Sequence, residues 1–259
     1  MDLFNPLTAP VLGLLGFRLG GLVLVGPMFS SRSVPMMVKA GLIVVLTATI
    51  FPVAIGTAVE GVRITPAIAL TETLIGFSIG MGAAIIVGAA EAMGDLMAVQ
   101  IGLSGAAALD PLTSHSVPVL GTFASLFALT LLLSLDAHLV MIDAVAQSLE
   151  MMPIGAPLNL EAGVAAMVGW GTELFLLGVR FAAPVIATVL LANVALAVMG
   201  RAAPQLNVLA VAFPIQIGLG LLVFAASIPL IGTFFSGWTA FYDAMIREAF
   251  EAFGSTGAA

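Results

Sequence analysis

Apolar residues fill this chain in six long runs, at 11–29, 38–59, 67–90, 117–142, 171–199 and 208–235. Each is close to or above the length of about 20 residues that crosses bilayer hydrocarbon as a helix. Leu, Ala, Gly and Met dominate the runs, which favours helix over strand. Their apolarity is continuous, unlike the alternating strands of a membrane barrel. The pattern predicts an all-α membrane protein with six hydropathy spans, built of long helices and helical hairpins. Residues 1–259 read as one domain with no soluble part.

Polar and proline-rich breaks separate the runs. Ser30-Ser31-Arg32-Ser33-Val34-Pro35 reads as a turn with a helix start at Pro35. Asp110-Pro111 to Pro118 is the longest break, followed by Met152-Pro153-Ile154-Gly155-Ala156-Pro157-Leu158-Asn159 and Arg201-Ala202-Ala203-Pro204-Gln205-Leu206-Asn207. One stretch is too long for a simple bundle. Residues 67–109 contain no proline and span about 64 Å as one helix, against hydrocarbon about 30 Å thick. That stretch must project, bend or fold back. Glu91 and Asp95 interrupt it on one face.

Within it, Gly76, Gly80, Ala84, Gly88 and Ala92 recur every four residues, on one helical stripe. Small residues let helix backbones approach closely where lipid supplies no hydrophobic drive. Packing within the chain and packing on a partner subunit are both open; the stripe is taken as a subunit-packing candidate. The C-terminal segment 234–253 is amphipathic. Phe234, Trp238, Phe241, Tyr242, Met245, Ala249, Phe250 and Phe253 form one face, and Asp243, Arg247, Glu248 and Glu251 the other. A membrane interface and a protein partner both suit that apolar face.

Ionisable groups lie in or beside the apolar runs: Arg18, Lys39, Glu72, Glu91, Asp95, Asp136, His138, Glu173 and Arg180, with Arg201 at a linker. Each is costly in hydrocarbon and is expected to face protein or water. Interhelical pairing is the plainer reading of these buried polar candidates, and a proton or ion path the sharper one. Glu173 and Arg180 share a face but stand seven residues apart, beyond a one-turn pair.

Composition agrees with the membrane class: 61% of residues are hydrophobic and 8% charged, against about a quarter charged in soluble domains. Fourteen acids against seven bases, with Lys39 the single lysine, exclude the clustered cations of a nucleic-acid binder. Orientation is not set by charge, because the loops of the two sides carry nearly equal numbers of bases. The N-terminus begins Met1-Asp2-Leu3 without a basic region, so the first run reads as retained. Cysteine is absent, and Lys39 is in no Gly-Lys-Ser/Thr context, so a phosphate loop is excluded. Asp136-Ala137-His138 reads as a polar pair and not a metal site, since its side chains diverge on a helix. Gly102-Leu103-Ser104-Gly105 matches the Gly-x-Ser-Gly of rhomboid-type proteases, with His138 one helix later. The accompanying Trp-Arg pair is missing: Trp170 and Trp238 precede Gly171 and Thr239. No enzyme, cofactor or metal is expected.

The linkers carry the strongest signal. In order they read Ser31-Arg32-Ser33-Val34-Pro35 with Lys39; Gly94-Asp95-Leu96 through Gln100-Ile101-Gly102-Leu103-Ser104 into Asp110-Pro111 and Pro118-Val119-Leu120; Asp136-Ala137-His138; Pro153-Ile154-Gly155; Arg201-Ala202-Ala203-Pro204-Gln205-Leu206-Asn207; and Phe213-Pro214. This order and spacing resemble the FliR family of type III secretion export gates, over residues 15–235. The chain departs at Ile101, Gly105 and Ala137, where family members often have Met, Phe and Gly.

The resemblance implies a structural subunit of the channel through which unfolded flagellar proteins cross the bacterial inner membrane. It implies staircase-like packing against FliP-like and FliQ-like subunits, with FlhB and FlhA as further partners and membrane lipid around. It places the core in the flagellar basal body, partly above the membrane plane. It also implies a pore plug at Gly105-Ala106-Ala107-Ala108-Leu109-Asp110-Pro111-Leu112-Thr113-Ser114-His115-Ser116-Val117-Pro118. Small residues before that loop and prolines at its ends suit such a role. A plain interhelical loop remains the other reading of it. The alternative function is an ion or small-molecule secondary transporter using the intramembrane acids.

Overall fold

The computed structural model describes residues 8–31, 33–103, 119–203, 205 and 208–255, with the backbone alone for 208–210. The described residues form eight helices and no strand: α1 (Thr8–Val25), α2 (Met36–Thr57), α3 (Pro66–Gln100), α4 (Val119–Ser134), α5 (Ala137–Met151), α6 (Leu160–Ala202), α7 (Val208–Ser236) and α8 (Trp238–Gly254). Among them, α1, α2, α3, α6 and α7 are long and apolar enough to cross a membrane, and the bent pair α4–α5 makes a possible sixth span.

The fourth apolar run, expected as one span over 117–142, is broken. Leu135 and Asp136 close α4 by bonding back to the carbonyls of Leu132 and Leu133, and α5 leaves at 67°. Asp136 takes φ 57°, a left-handed conformation that its short polar side chain tolerates better than most. The hydropathy of the run hides this break because Leu, Ala and Val continue on both sides of it.

Two helix ends also shift. The third run stops at Gln100, where Gly102 at φ 81° ends α3. The Leu103 N–H reaches back to the Ala98 carbonyl at 3.0 Å, a cap that needs the left-handed residue glycine supplies. The fifth run begins earlier than its apolar part. Asn159 Oδ1 accepts the Ala162 N–H at 3.0 Å, so α6 starts at Leu160 and runs 43 residues, about 64 Å.

Two compact units can be distinguished. The first holds residues 8–85, 132–171 and 238–255. Leu15, Leu19 and Leu22 of α1, Ile75 and Ile79 of α3, and Val145 and Leu149 of α5 are buried there. So is one face of α8, through Trp238, Tyr242, Met245, Ile246, Ala249, Phe250 and Phe253. The apolar C-terminal face therefore packs within the chain, and is not the free interface the sequence left open. Gly82 leaves room for Tyr242 and Ile246, and Gly163 for the Phe253 ring. Tyr242 Oη donates to the Ile79 carbonyl at 3.0 Å, and burial pushes its phenol above the ordinary range, so it stays a neutral donor.

The second unit holds residues 86–103, 119–131, 172–203, 205 and 208–237. Ile86, Ala89 and Met93 of α3, Ala124 and Ala128 of α4, and Ala182, Val185 and Val189 of α6 are buried. The Phe181 and Phe234 rings meet edge to face with centroids 5.0 Å apart, tying α6 to α7.

Candidate functional site

In the first unit, a fully buried guanidinium gathers three helices. Arg18 of α1 donates through Nε to Glu72 Oε2 of α3 at 2.7 Å, and its NH2 nitrogen is also 2.7 Å from that oxygen. The NH1 nitrogen donates to Ser148 Oγ of α5 at 2.8 Å, and NH2 to the Met152 carbonyl at 2.9 Å. The other Glu72 oxygen accepts the Gly155 N–H at 3.2 Å. Gly155 is glycine for two reasons. Its φ is 86°, and a Cβ there would strike the Val62 side chain. The Pro153-Ile154-Gly155 segment is thus a seat for the buried acid. The cluster has no exposed side chain to offer a ligand: Arg18 is 0% and Glu72 2% exposed. It holds helices in place.

The small-residue stripe adjoins this cluster. A Cβ on Gly76 would run into the Arg18 carbonyl, and one on Gly80 would lie 2.8 Å from the Gly26 nitrogen. Gly21 answers from α1, close to the Thr73 carbonyl and the Phe77 nitrogen. In the second unit, Gly88 faces the Leu174 side chain, and Ala84 in the first is half-buried. Gly76, Gly80 and Gly88, taken from the sequence as subunit-packing positions, therefore meet elements of their own chain.

Four ionisable groups expected to be buried are exposed in the single chain: Glu91, Asp136, Arg180 and Arg201. Glu91 and Arg180 stand on the outward side of α3 and α6, and Asp136 and Arg201 at helix ends. Glu173 is half-buried, and among the described residues no ion pair joins it to Arg180. Asp95 and His138 are half-buried, and among the described residues Asp95 Oδ1 and His138 Nδ1 are buried without a hydrogen-bond partner, as is Trp170 Nε1. A second polar link, Gln216 Nε2 to Asn193 Oδ1 between α7 and α6, was missed because both side chains are uncharged. No group of three potential metal ligands occurs among the described residues.

Residues 105–118, the candidate plug, lie outside the described residues, as does Ser104. The flanks are defined. Gly102 ends α3 before them and Val119 opens α4 after them. The two helices meet at backbone distance: a Cβ on Gly94 would lie against the Leu120 carbonyl, and one on Gly121 against the Asp95 carboxylate. The described ends of α3 and α4 thus pack tightly against each other in the second unit.

Residues 9–241 match the family model described as bacterial export proteins, family 1. The chain is 33% identical over 219 residues to the flagellar biosynthetic protein FliR of Escherichia coli strain K12, covering 84% of each. It is 31% identical over 222 residues to FliR of Pectobacterium carotovorum, again 84% of each, and 26% identical over 235 residues to FliR of Bacillus subtilis, 89% of each.

Proposed function

The chain belongs to the bacterial export proteins, family 1, as a membrane subunit of the flagellar type III export gate, and we propose that it completes this gate beside FliP-like and FliQ-like chains. Its long helices continue their staircase in the inner membrane, partly above the membrane plane in the basal body. FlhB and FlhA adjoin the assembly at its cytoplasmic side, and unfolded flagellar proteins are what passes. The loop 105–118 plugs the pore, carried on the α3–α4 hairpin. The role is structural, and its relatives are named for flagellar biosynthesis.

The match over residues 9–241 carries this reading. The chain's own surface supports it. Less than a third of the apolar windows of α2, α6 and α7 is buried, against half or more for α1 and α3. Val44, Val45, Leu191 and Leu222 are each more than three-fifths exposed. An upright α6 of about 64 Å extends well beyond hydrocarbon about 30 Å thick, so part of its apolar surface needs protein cover. The transporter alternative has less behind it: Glu72 is locked by Arg18, and the relatives are flagellar.

Co-expression with FliP-like and FliQ-like chains and native mass spectrometry test the reading. The expected product is one copy of this chain with several copies of each partner. A chain that purifies alone as a stable monomer or homodimer and binds a solute would return the transporter.

A further inference from the structure

The two least apolar regions of the first unit, α5 and α8, pack side by side and leave a groove of about 700 Å³ between them. Its apolar part is offered by Leu139 and Met151 of α5, each about half exposed, above the buried Ala144, Ile246 and Phe250. Its rim is acidic. Asp143, Gln147 and Glu150 line the α5 side at helical spacing, and Asp243 and Arg247 the α8 side. All five rim residues are exposed. Gln147 donates to Asp143 Oδ2 at 2.7 Å, but among the described residues no ion pair neutralises Asp143, Glu150 or Asp243. Glu248 and Glu251 add to the acidic face of α8. From Asp243 onward this wall falls outside the residues that the family model matches.

We propose that this groove docks a basic amphipathic helix from another protein of the export apparatus. Two parallel helix ridges with an apolar trough accept a third helix through its apolar stripe. The rim chooses the sign of that helix. Asp143 and Glu150 are seven residues apart, about 10 Å along α5, so Lys or Arg two turns apart on the incoming helix meets both. A second copy of this chain does not fit. Its bases are Arg18, Arg32, Lys39, Arg63, Arg180, Arg201 and Arg247, and no helix of it carries two within two turns. A phosphate-bearing lipid surface is disfavoured by the same acids.

The inference rests on the gate assembly proposed above. A photo-crosslinking amino acid at Gln147 of the full chain, in cells making the export apparatus, tests it. The expected adduct maps to a helical segment of another apparatus protein with Lys or Arg two turns apart on one face. Asp143→Lys with Glu150→Lys should lower adduct yield about tenfold, while Asp143→Asn with Glu150→Gln lowers it a few-fold. Both variants should keep the helical content and co-purification of the parent, since these side chains are exposed. An adduct to lipid, to an acidic or uncharged segment, or no adduct in an intact gate overturns the groove and leaves the gate standing. So does a yield insensitive to charge reversal. Failure to isolate any gate overturns both.

Discussion

A single arginine sets the terms of the first unit. Arg18 is buried among apolar leucines, and a lone guanidinium there is untenable without its carboxylate and its hydroxyl and carbonyl acceptors. Its removal and the removal of its partner are therefore unequal changes. Glu72→Ala strands the charge and should cost about 3–5 kcal/mol. For a chain of this size that lowers the melting temperature of the detergent-purified protein by at least about 6 °C. Arg18→Met with Glu72→Leu removes both charges and should restore most of the loss, leaving the Gly155 N–H and the Met152 carbonyl as the remaining cost, since the Ser148 hydroxyl still donates to the Val145 carbonyl. Intrinsic fluorescence of Trp170 and Trp238, both buried in this unit, reports the transition. A double variant no better than Glu72→Ala would show that shape, not charge, carries the site. Both residues stand out in the sequence as ions in apolar runs. Their pairing does not, because 54 positions separate them and only the docking of α1 on α3 brings them together. The same holds for Gly155, whose role depends on an acid 83 residues away.

At the scale of elements, the close approach of α1 and α3 is what makes that pairing possible. Gly76 and Gly21 put backbone against backbone, so no flexible side chain can move aside. Gly76→Ala should separate the helices and destabilise the chain by several kcal/mol, as overpacking does at a rigid contact. Gly41→Ala is the control: nothing lies within 4 Å of a Cβ there, and the change in α2 should be neutral or stabilising by up to about 1 kcal/mol. Thermal melting of the two variants side by side checks the contrast; equal losses would mean that the stripe is not a contact. The four-residue spacing marked this face from sequence, since small residues at helical period have few other uses in a membrane helix. It left open which neighbour the face meets, because spacing describes one surface and not its complement. The helix runs themselves were legible through continuous apolarity. The Leu135–Asp136 break was not, because it is made by backbone conformation inside an unchanged apolar composition.

For the whole molecule, the arrangement that matters is the close pairing of α3 and α4. Gly94 and Gly121 hold α3 and α4 at backbone distance, and Gly102 ends α3 in the last turn before the loop. On the plug role proposed above for residues 105–118, joining them to two helix ends held this closely lowers the entropic cost of closing the pore. Its placement at the gate rests on the family resemblance of Gly102-Leu103-Ser104 and Asp110-Pro111, since hydropathy distinguishes no plug from any other polar break. Deleting residues 109–117 should leave the hairpin intact and remove the obstruction. In cells that make the complete gate, ion leakage through the membrane should rise well above that of the parent chain, while FliP-like and FliQ-like chains still co-purify with the variant. Unchanged conductance with intact assembly would make residues 105–118 a plain connection. Lost assembly would place them in subunit contacts. The leak and the assembly are separate measurements, so the two roles for this segment can be told apart in one strain.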